Sequence, residues 1–405
     1  MVTYPNDWDE SKLLDHVSLV QGLIYTPENV KPTGTLVLRS SNIQNGRLSL
    51  DDNVYVNAHV PEEKIVAKGD ILVCVRNGSS ALIGKSCVLP KLKCTTFGAF
   101  MSVLRGDATG YFAKLFESNI VQEQVRGRSN ATINQITKKD FQSILVTVPD
   151  KPEQEEIART LFLFDAYIDD LAELIEKKKG IRDGALEDLM SGKTRIGGFK
   201  TEWAEYPFEV YFSTLPNNTF SRDKLSEHGE IGDIHYGDVL IKYGDVLTDD
   251  DSIPRIKDIS QVKENWYLRK HDVIIADTAE DEAVGKVVQI GTVSIPLVGG
   301  LHTVVCRPNY DTAEGFLGYY MNSKLYHDQL YPYITGIKVS SISKKSFGET
   351  MLNIPADVNE QAAIVSVLSA MDNEIRDLET EREKIIQIRE GAMDDLLTGR
   401  VRLTK

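Results

Sequence analysis

Residues Asp150–Ile196 read DKPEQEEIARTLFLFDAYIDDLAELIEKKKGIRDGALEDLMSGKTRI, and the pattern returns near the end of the chain. A shift of 207 positions lays Glu153–Ile196 over Glu360–Leu403 without a gap, and 18 of the 44 aligned pairs are identical. Among them are Glu153/Glu360, Gln154/Gln361, Asp165/Asp372, Arg182/Arg389, Gly192/Gly399 and Arg195/Arg402. Many of the others are exchanges in kind, such as Glu187/Asp394, Ser191/Thr398 and Lys193/Arg400. The chain is an internal duplication.

Each copy reads as one long helix. Ile157, Leu161, Phe164, Ile168, Leu171, Ile175, Ala185 and Leu189 step by threes and fours through the first, apart from the gap after Ile175. Ile364, Leu368, Met371, Ile375, Leu378, Ile385, Ala392 and Leu396 do so in the second, apart from steps of seven on either side of Ile385. An apolar stripe at that spacing, flanked by charge, is the seam of a coiled coil. Asp150-Lys151-Pro152 and Asp357-Val358-Asn359 supply helix starts. Gly192 and Gly399 stand where a left-handed stop is expected. A helix from Glu153 to Met190 would measure roughly 57 Å at 1.5 Å per residue, and its weak point, where a bend is expected, is Lys177–Gly180, where the seam loses its apolar residue. The two copies most simply pack on each other; in the alternative, each helix packs only on its own globule.

The length of 405 residues allows two or three domains, and 41% hydrophobic content supports real cores. No run approaches the ~20 apolar residues of a membrane helix, and the start of the chain lacks the pattern of a signal peptide, so an intracellular, cytoplasmic protein is expected. Cys74, Cys87, Cys94 and Cys306 show no CxxC spacing and read as thiols rather than metal ligands. The net charge of −14 is unevenly spread. Lys plus Arg against Asp plus Glu gives 16 to 15 for residues 1–150, but 15 to 23 for residues 197–356. Such a balance argues against nonspecific binding to a polyanion by the isolated chain, while leaving room for a specific contact surface helped by basic partners.

The segments before the two helices repeat more faintly. Lys68–Val73 answers Lys270–Ile275, Gly84-Lys85 answers Gly285-Lys286, and Gly98–Arg105 answers Gly300–Arg307. Ile136-Thr137-Lys138-Lys139-Asp140-Phe141 matches Ile342-Ser343-Lys344-Lys345-Ser346-Phe347. The runs are short, rich in Val and Ile, and punctuated by Gly, with helical patches near 110–124 and 315–330. Each reads as a mixed α+β globule. The chain is then globule, helix, globule, helix: 1–150, 151–196, 197–356 and 357–405.

Catalytic readings fare poorly. Gly78–Ser86 has five residues between its glycines where a phosphate-binding loop needs four, and no helix pattern follows Lys85. A turn fits better. No cofactor loop of a methyltransferase is present, and Glu62-Glu63-Lys64 is the nearest approach to a nuclease's carboxylates and lysine. The sequence shows no active site and no metal site of its own.

Two variable globules, each followed by a near-identical helix ending in Asp188–Arg195 or Asp395–Arg402, resemble the DNA-specificity subunit of type I restriction–modification systems. The helix entries around Pro149 and Pro355 and the run Gly69–Val73 carry the same resemblance. It implies an α+β fold of two target recognition domains, 1–150 and 197–356, separated by helices that pair as an antiparallel coiled coil with an internal pseudo-two-fold. Each domain would read one half of a bipartite sequence in double-stranded DNA. The helices would act as spacers, 151–196 and 357–405, and dock two methyltransferase subunits. S-adenosylmethionine would bind there, ATP and Mg would serve the partners, and restriction subunits would cleave. This chain would be non-catalytic and hold no cofactor.

In that reading the base-contacting loops are Arg76, Asn77, Ser79 and Ser80, with Arg126, Arg128, Asn130, Thr132 and Asn134. Their second-copy counterparts are Thr278, Thr335, Lys338, Ser340 and Ser341. Such side chains read base edges or phosphates. Ile168, Leu171, Ile375 and Leu378 would form the helix interface. The rival reading is a duplicated adaptor whose globules bind protein or carbohydrate; an enzyme with a dispersed metal site is a third.

Overall fold

The computed structural model describes residues 4–128, 134–280, 283–336 and 339–403. It falls into two compact units: Met1–Ala172 with Thr380–Lys405, and Glu173–Glu379. Each unit therefore holds one globule, part of the central helix (Lys151–Met190) and part of the C-terminal helix (Val358–Leu397).

Both globules share one strand plan. In the first unit the strand Met101–Arg105 lies between Ser18–Gln21 and Ile71–Cys74, antiparallel to each, and Ser86–Val88 completes the sheet. In the second, Thr303–Pro308 lies between Phe212–Leu215 and Val273–Ala276, followed by Val287–Ile290. A second sheet in each begins with a parallel pair, Thr35–Leu38 with Thr95–Phe97 and Gly232–Ile234 with Leu297–Gly299. A two-stranded ribbon closes each globule, Asp9–Lys12 with Leu145–Val148 and Trp203–Pro207 with Met351–Pro355. The fully buried runs Ile71–Cys74 and Val273–Ala276 carry no polar residue, as a strand covered on both faces requires.

A buried ion pair recurs at the same place in both sheets. Arg105 grips Asp70 with Nε and a terminal nitrogen at 2.9 and 2.7 Å, and Arg307 grips Asp272 at 2.8 and 2.7 Å. Both carboxylates are almost fully enclosed, at 2% and 1% exposure, so the forked, fully charged contact is what makes their burial tolerable.

The long helices are continuous, and no break in the helix occurs at Gly180. Asp150 caps the first through Glu153 N–H at 3.1 Å, and Asp357 caps the second through Asn359 N–H at 2.9 Å. Gly192 and Gly399 follow them with φ of 70° and 69°, the left-handed stops expected. A Cβ on Gly399 would lie 2.5 Å from the Pro5 ring, so this stop also demands glycine for space.

The seam differs from a plain coiled coil. In the first unit Ile157, Ala158 and Leu161 from one helix and Met393, Leu396 and Leu397 from the other enter the core of the globule. In the second unit Leu186, Leu189 and Met190 do so together with Ile364 and Leu368. The helix ends thus bury their stripe in globule cores, in the same clusters as aromatic residues such as Phe116 and Phe316. Toward the helix middles Ile168, Leu171, Ile175 and Ile375 are buried, whereas Phe164, Met371, Leu378 and Ile385 are half-buried.

The helices run antiparallel within each unit. Asp165 bonds Arg389 at 2.8 Å and Tyr167 bonds Glu381 at 2.5 Å in the first. Lys178 pairs with Glu374 at 2.6 Å and Arg182 with Asp372 at 2.9 Å in the second. Charges identical in the two repeats are thus joined crosswise, Arg of one copy to Asp of the other. The same exchange ties the ends: Arg402 grips Glu153 at 2.6 and 2.7 Å, and Arg195 grips Glu360 at 2.8 and 2.6 Å. Burial opposes the charge on Arg182, but Asp245 and Asp372 more than offset it and raise its pKa.

Candidate nucleic-acid interface

The loop after the central strand of the first globule meets the loop before the helix entry. Arg76 forms an isolated bridge with Gln135, and Asn77 N–H donates to the Asn134 carbonyl at 3.1 Å. The Asn134 side chain donates to the Gly78 carbonyl at 2.8 Å, and Asn77 donates to Ser40 Oγ at 3.1 Å. Ser79 and Ser80 are exposed on the same turn, which the Asn77 carboxamide oxygen stabilises by accepting from Ser79 N–H at 3.1 Å. The Arg76 guanidinium lies over the ring of Phe100, 5.2 Å from its centre, and Phe100 is itself 57% exposed. A stacked guanidinium is held ready, so less freedom is lost when it meets a planar or anionic ligand.

Arg126 and Arg128 end the helix Asn119–Arg128. Arg126 is exposed, whereas Arg128 donates to the carbonyls of Gln124 and Ser143 at 2.8 and 2.9 Å and fastens the helix end. Asn130 and Thr132 lie outside the described residues.

In the second globule the equivalent loops form a short ribbon. Thr278 pairs with Ser341 and Ala279 with Ser340, and Thr335 exchanges backbone bonds with Ser341 at 3.0 and 2.8 Å. Lys338 lies outside the described residues. Thr278 Oγ1 donates to Asp277 at 2.8 Å, and the His302 ring stands 3.5 Å from the same carboxylate. His302 takes the place of Phe100, since each stands two residues beyond Gly300 or Gly98. Neither was singled out from sequence; the aligned runs Gly98–Arg105 and Gly300–Arg307 held the signal.

The parallel pair of the second globule carries a carboxyl where the first has an apolar residue. Asp233 is fully buried; one oxygen accepts from Asn218 at 2.6 Å, and the other has no partner among the described residues. Burial pushes its pKa up to about 6, Asn218 working the other way. The strand registers put Val37 at the matching position of the first globule.

The tempting Gly285-Lys286 motif is a turn, with Gly285 at φ 93°. Lys286 donates to the carbonyls of Leu240 and Tyr243 at 3.0 and 3.1 Å, so it is a structural tie. Among the described residues no three His, Cys, Asp or Glu side chains gather to hold a metal ion, and no helix is long and apolar enough to cross a membrane.

Two like globules thus each present paired polar loops of their own chemistry. The family model described as "Type I restriction modification DNA specificity domain" matches residues 5–179 and 217–388, and the chain belongs to that family. It is 29% identical over 204 residues to the type I restriction enzyme EcoKI specificity subunit of Escherichia coli, covering 47% of this chain and 44% of that one. The chain thus spans less than half the length of the first relatives it matches. The type I restriction enzyme MjaVIII specificity subunit of Methanocaldococcus jannaschii is 23% identical over 366 residues, 84% of this chain and 81% of its own. The crystal structure of the S subunit from M. genitalium shares the fold, with a TM-score of 0.56, 16% identity and 98% coverage of both chains.

Proposed function

We propose that this chain is the sequence-reading, non-catalytic subunit of a type I restriction–modification complex. Residues 1–150 and 197–356 each contact one half of a bipartite target in double-stranded DNA. The helical segments 151–196 and 357–405 set the gap and dock two methyltransferase subunits, to which restriction subunits attach. S-adenosylmethionine, ATP and Mg belong to those partners, and the complex works in the cytoplasm. Arg76, Asn77, Ser79, Ser80, Arg126 and Asn134 face DNA from the first globule, and Thr278, Thr335, Ser340 and Ser341 from the second.

One observation carries this reading. The charges that recur in both repeats are engaged in the same crosswise clamps. The loops at equivalent sheet positions differ in chemistry, Arg76 and Phe100 against Thr278 and His302. A shared frame with unlike heads suits two independent readings. Exchanging residues 1–150 for those of a relative tests it, with methylated adenines mapped across a genome. One half of the methylated sequence should change while the other half and the gap persist. A change in both halves together would overturn independent reading and favour the adaptor.

A further inference from the structure

The globules keep one basic feature although their loops have diverged. Four lysine positions stand in both copies of the aligned motifs: Lys68/Lys270, Lys85/Lys286, Lys138/Lys344 and Lys139/Lys345. In the second copy Lys270 is spent on Glu314 at 2.6 Å, and Lys286 on two backbone carbonyls. The four dilysine side chains are exposed, and among the described residues none has an ion pair.

Their mounting is the same in both. Ile136 and Phe141 bracket the first pair at 2% and 0% exposure, and Ile342 and Phe347 bracket the second at 3% and 0%. Thr137 and Ser343 cap the short turns, accepting from Asp140 N–H at 3.3 Å and Ser346 N–H at 3.2 Å. The pairs are thus presented on anchored elements. Each begins three residues after a residue of the candidate interface, Gln135 or Ser341, both in bridges to the opposite loop. Three residues reach at most about 10 Å, close to the ~8.5 Å depth of the major groove. A loop on the groove floor would leave the lysines at its phosphate rim.

We propose that Lys138-Lys139 and Lys344-Lys345 are a duplicated clamp for the phosphate backbone of duplex DNA, alike in both globules because phosphates carry no sequence. The proposal rests on the DNA-reading function. It also answers the acidity of residues 197–356, since the second globule retains its cation pair where the strand passes.

The test uses the complex of this chain with its methyltransferase subunits, in wild-type form and with all four lysines changed to Gln. Binding to cognate and unrelated duplexes is measured by anisotropy over a range of salt. The slope of log affinity against log salt should fall by about 0.9 for each phosphate no longer neutralised, up to about 3.6 for four. The weakening should be equal on both duplexes, the methylated sequence unchanged, and Lys→Arg variants close to wild type. An unchanged slope in a variant that still assembles overturns the clamp and leaves the reading of DNA intact. So does an altered methylated sequence, which would make these lysines base readers. No selective binding by the wild-type complex would remove both ideas at once.

Discussion

The two globules share a strand plan and a buried Arg–Asp pair, yet at matching positions one has Val37 and Arg76 where the other has Asp233 and Thr278. The difference separates what burial enforces from what it leaves free. An unpaired polar group in a strand interior is costly, so Ile71–Cys74 and Val273–Ala276 stay alike and apolar, and Asp233, with one oxygen unpartnered among the described residues, is the exception that carries that cost. A loop tip answers only to solvent and ligand, so it drifts.

The comparison is most forcefully tested at the helices. Leu161 and Leu368 are equivalent in the repeat and both fully buried, one in each core. Leu161→Ala and Leu368→Ala should each cost about 2–5 kcal/mol, by denaturant unfolding. Costs that differ by more than that range would break the equivalence of the units.

A smaller effect separates the globules. The raised pKa of Asp233 means that the folded state holds its proton more tightly than the unfolded chain does. Its contribution is unfavourable above pH 6 and vanishes below about pH 4, so stability should fall as pH rises through that window. Asp233→Asn should abolish this dependence and raise stability at pH 7 by about 2–3 kcal/mol, at about 1.4 kcal/mol per unit. Thermal melts from pH 4 to 7 read it directly; the same slope in wild type and variant would refute the assignment.

The subtlest contrast lies in the readers. Arg76→Ala should relax one position of the first half-site, costing about 1–3 kcal/mol of discrimination there. Thr278→Ala should relax the second half-site by about 1 kcal/mol or less, because a hydroxyl makes a single weaker contact. Methylation mapping of both variants decides it. Relaxation in the wrong half would reverse the assignment of globules to half-sites.

Much of the frame was legible in the sequence. The helices, their caps and their glycine stops follow from periodicity and local chemistry, and the duplication announced two like globules. Which charges would join was not legible. Arg182 lies next to Asp183 in the chain but also bonds Asp372, and nothing local specifies a crosswise partner. At the helix ends the stripe meets the globule core as well as the other helix, and a stripe alone cannot say how much of each will cover it. In the loops, composition could not separate an Arg that fastens its own helix, as Arg128 does, from one stacked and exposed, as Arg76 is.

The first globule's core borrows Met393, Leu396 and Leu397 from near the far end of the sequence, while the second is completed by residues lying closer on either side. On the ribosome the order of synthesis and the order of completion are therefore reversed. The unit holding residues 173–379 has all its parts once its own helix segment has emerged. The globule made first waits without Met393, Leu396 and Leu397, which complete the core that also holds Ile157 and Leu161. Contacts of such long sequence separation form slowly, and an uncovered apolar face is where a waiting chain sticks to others. The clamp of Arg402 on Glu153 and Asp7 then acts as a late latch, closing a core left open while residues 173–379 are made.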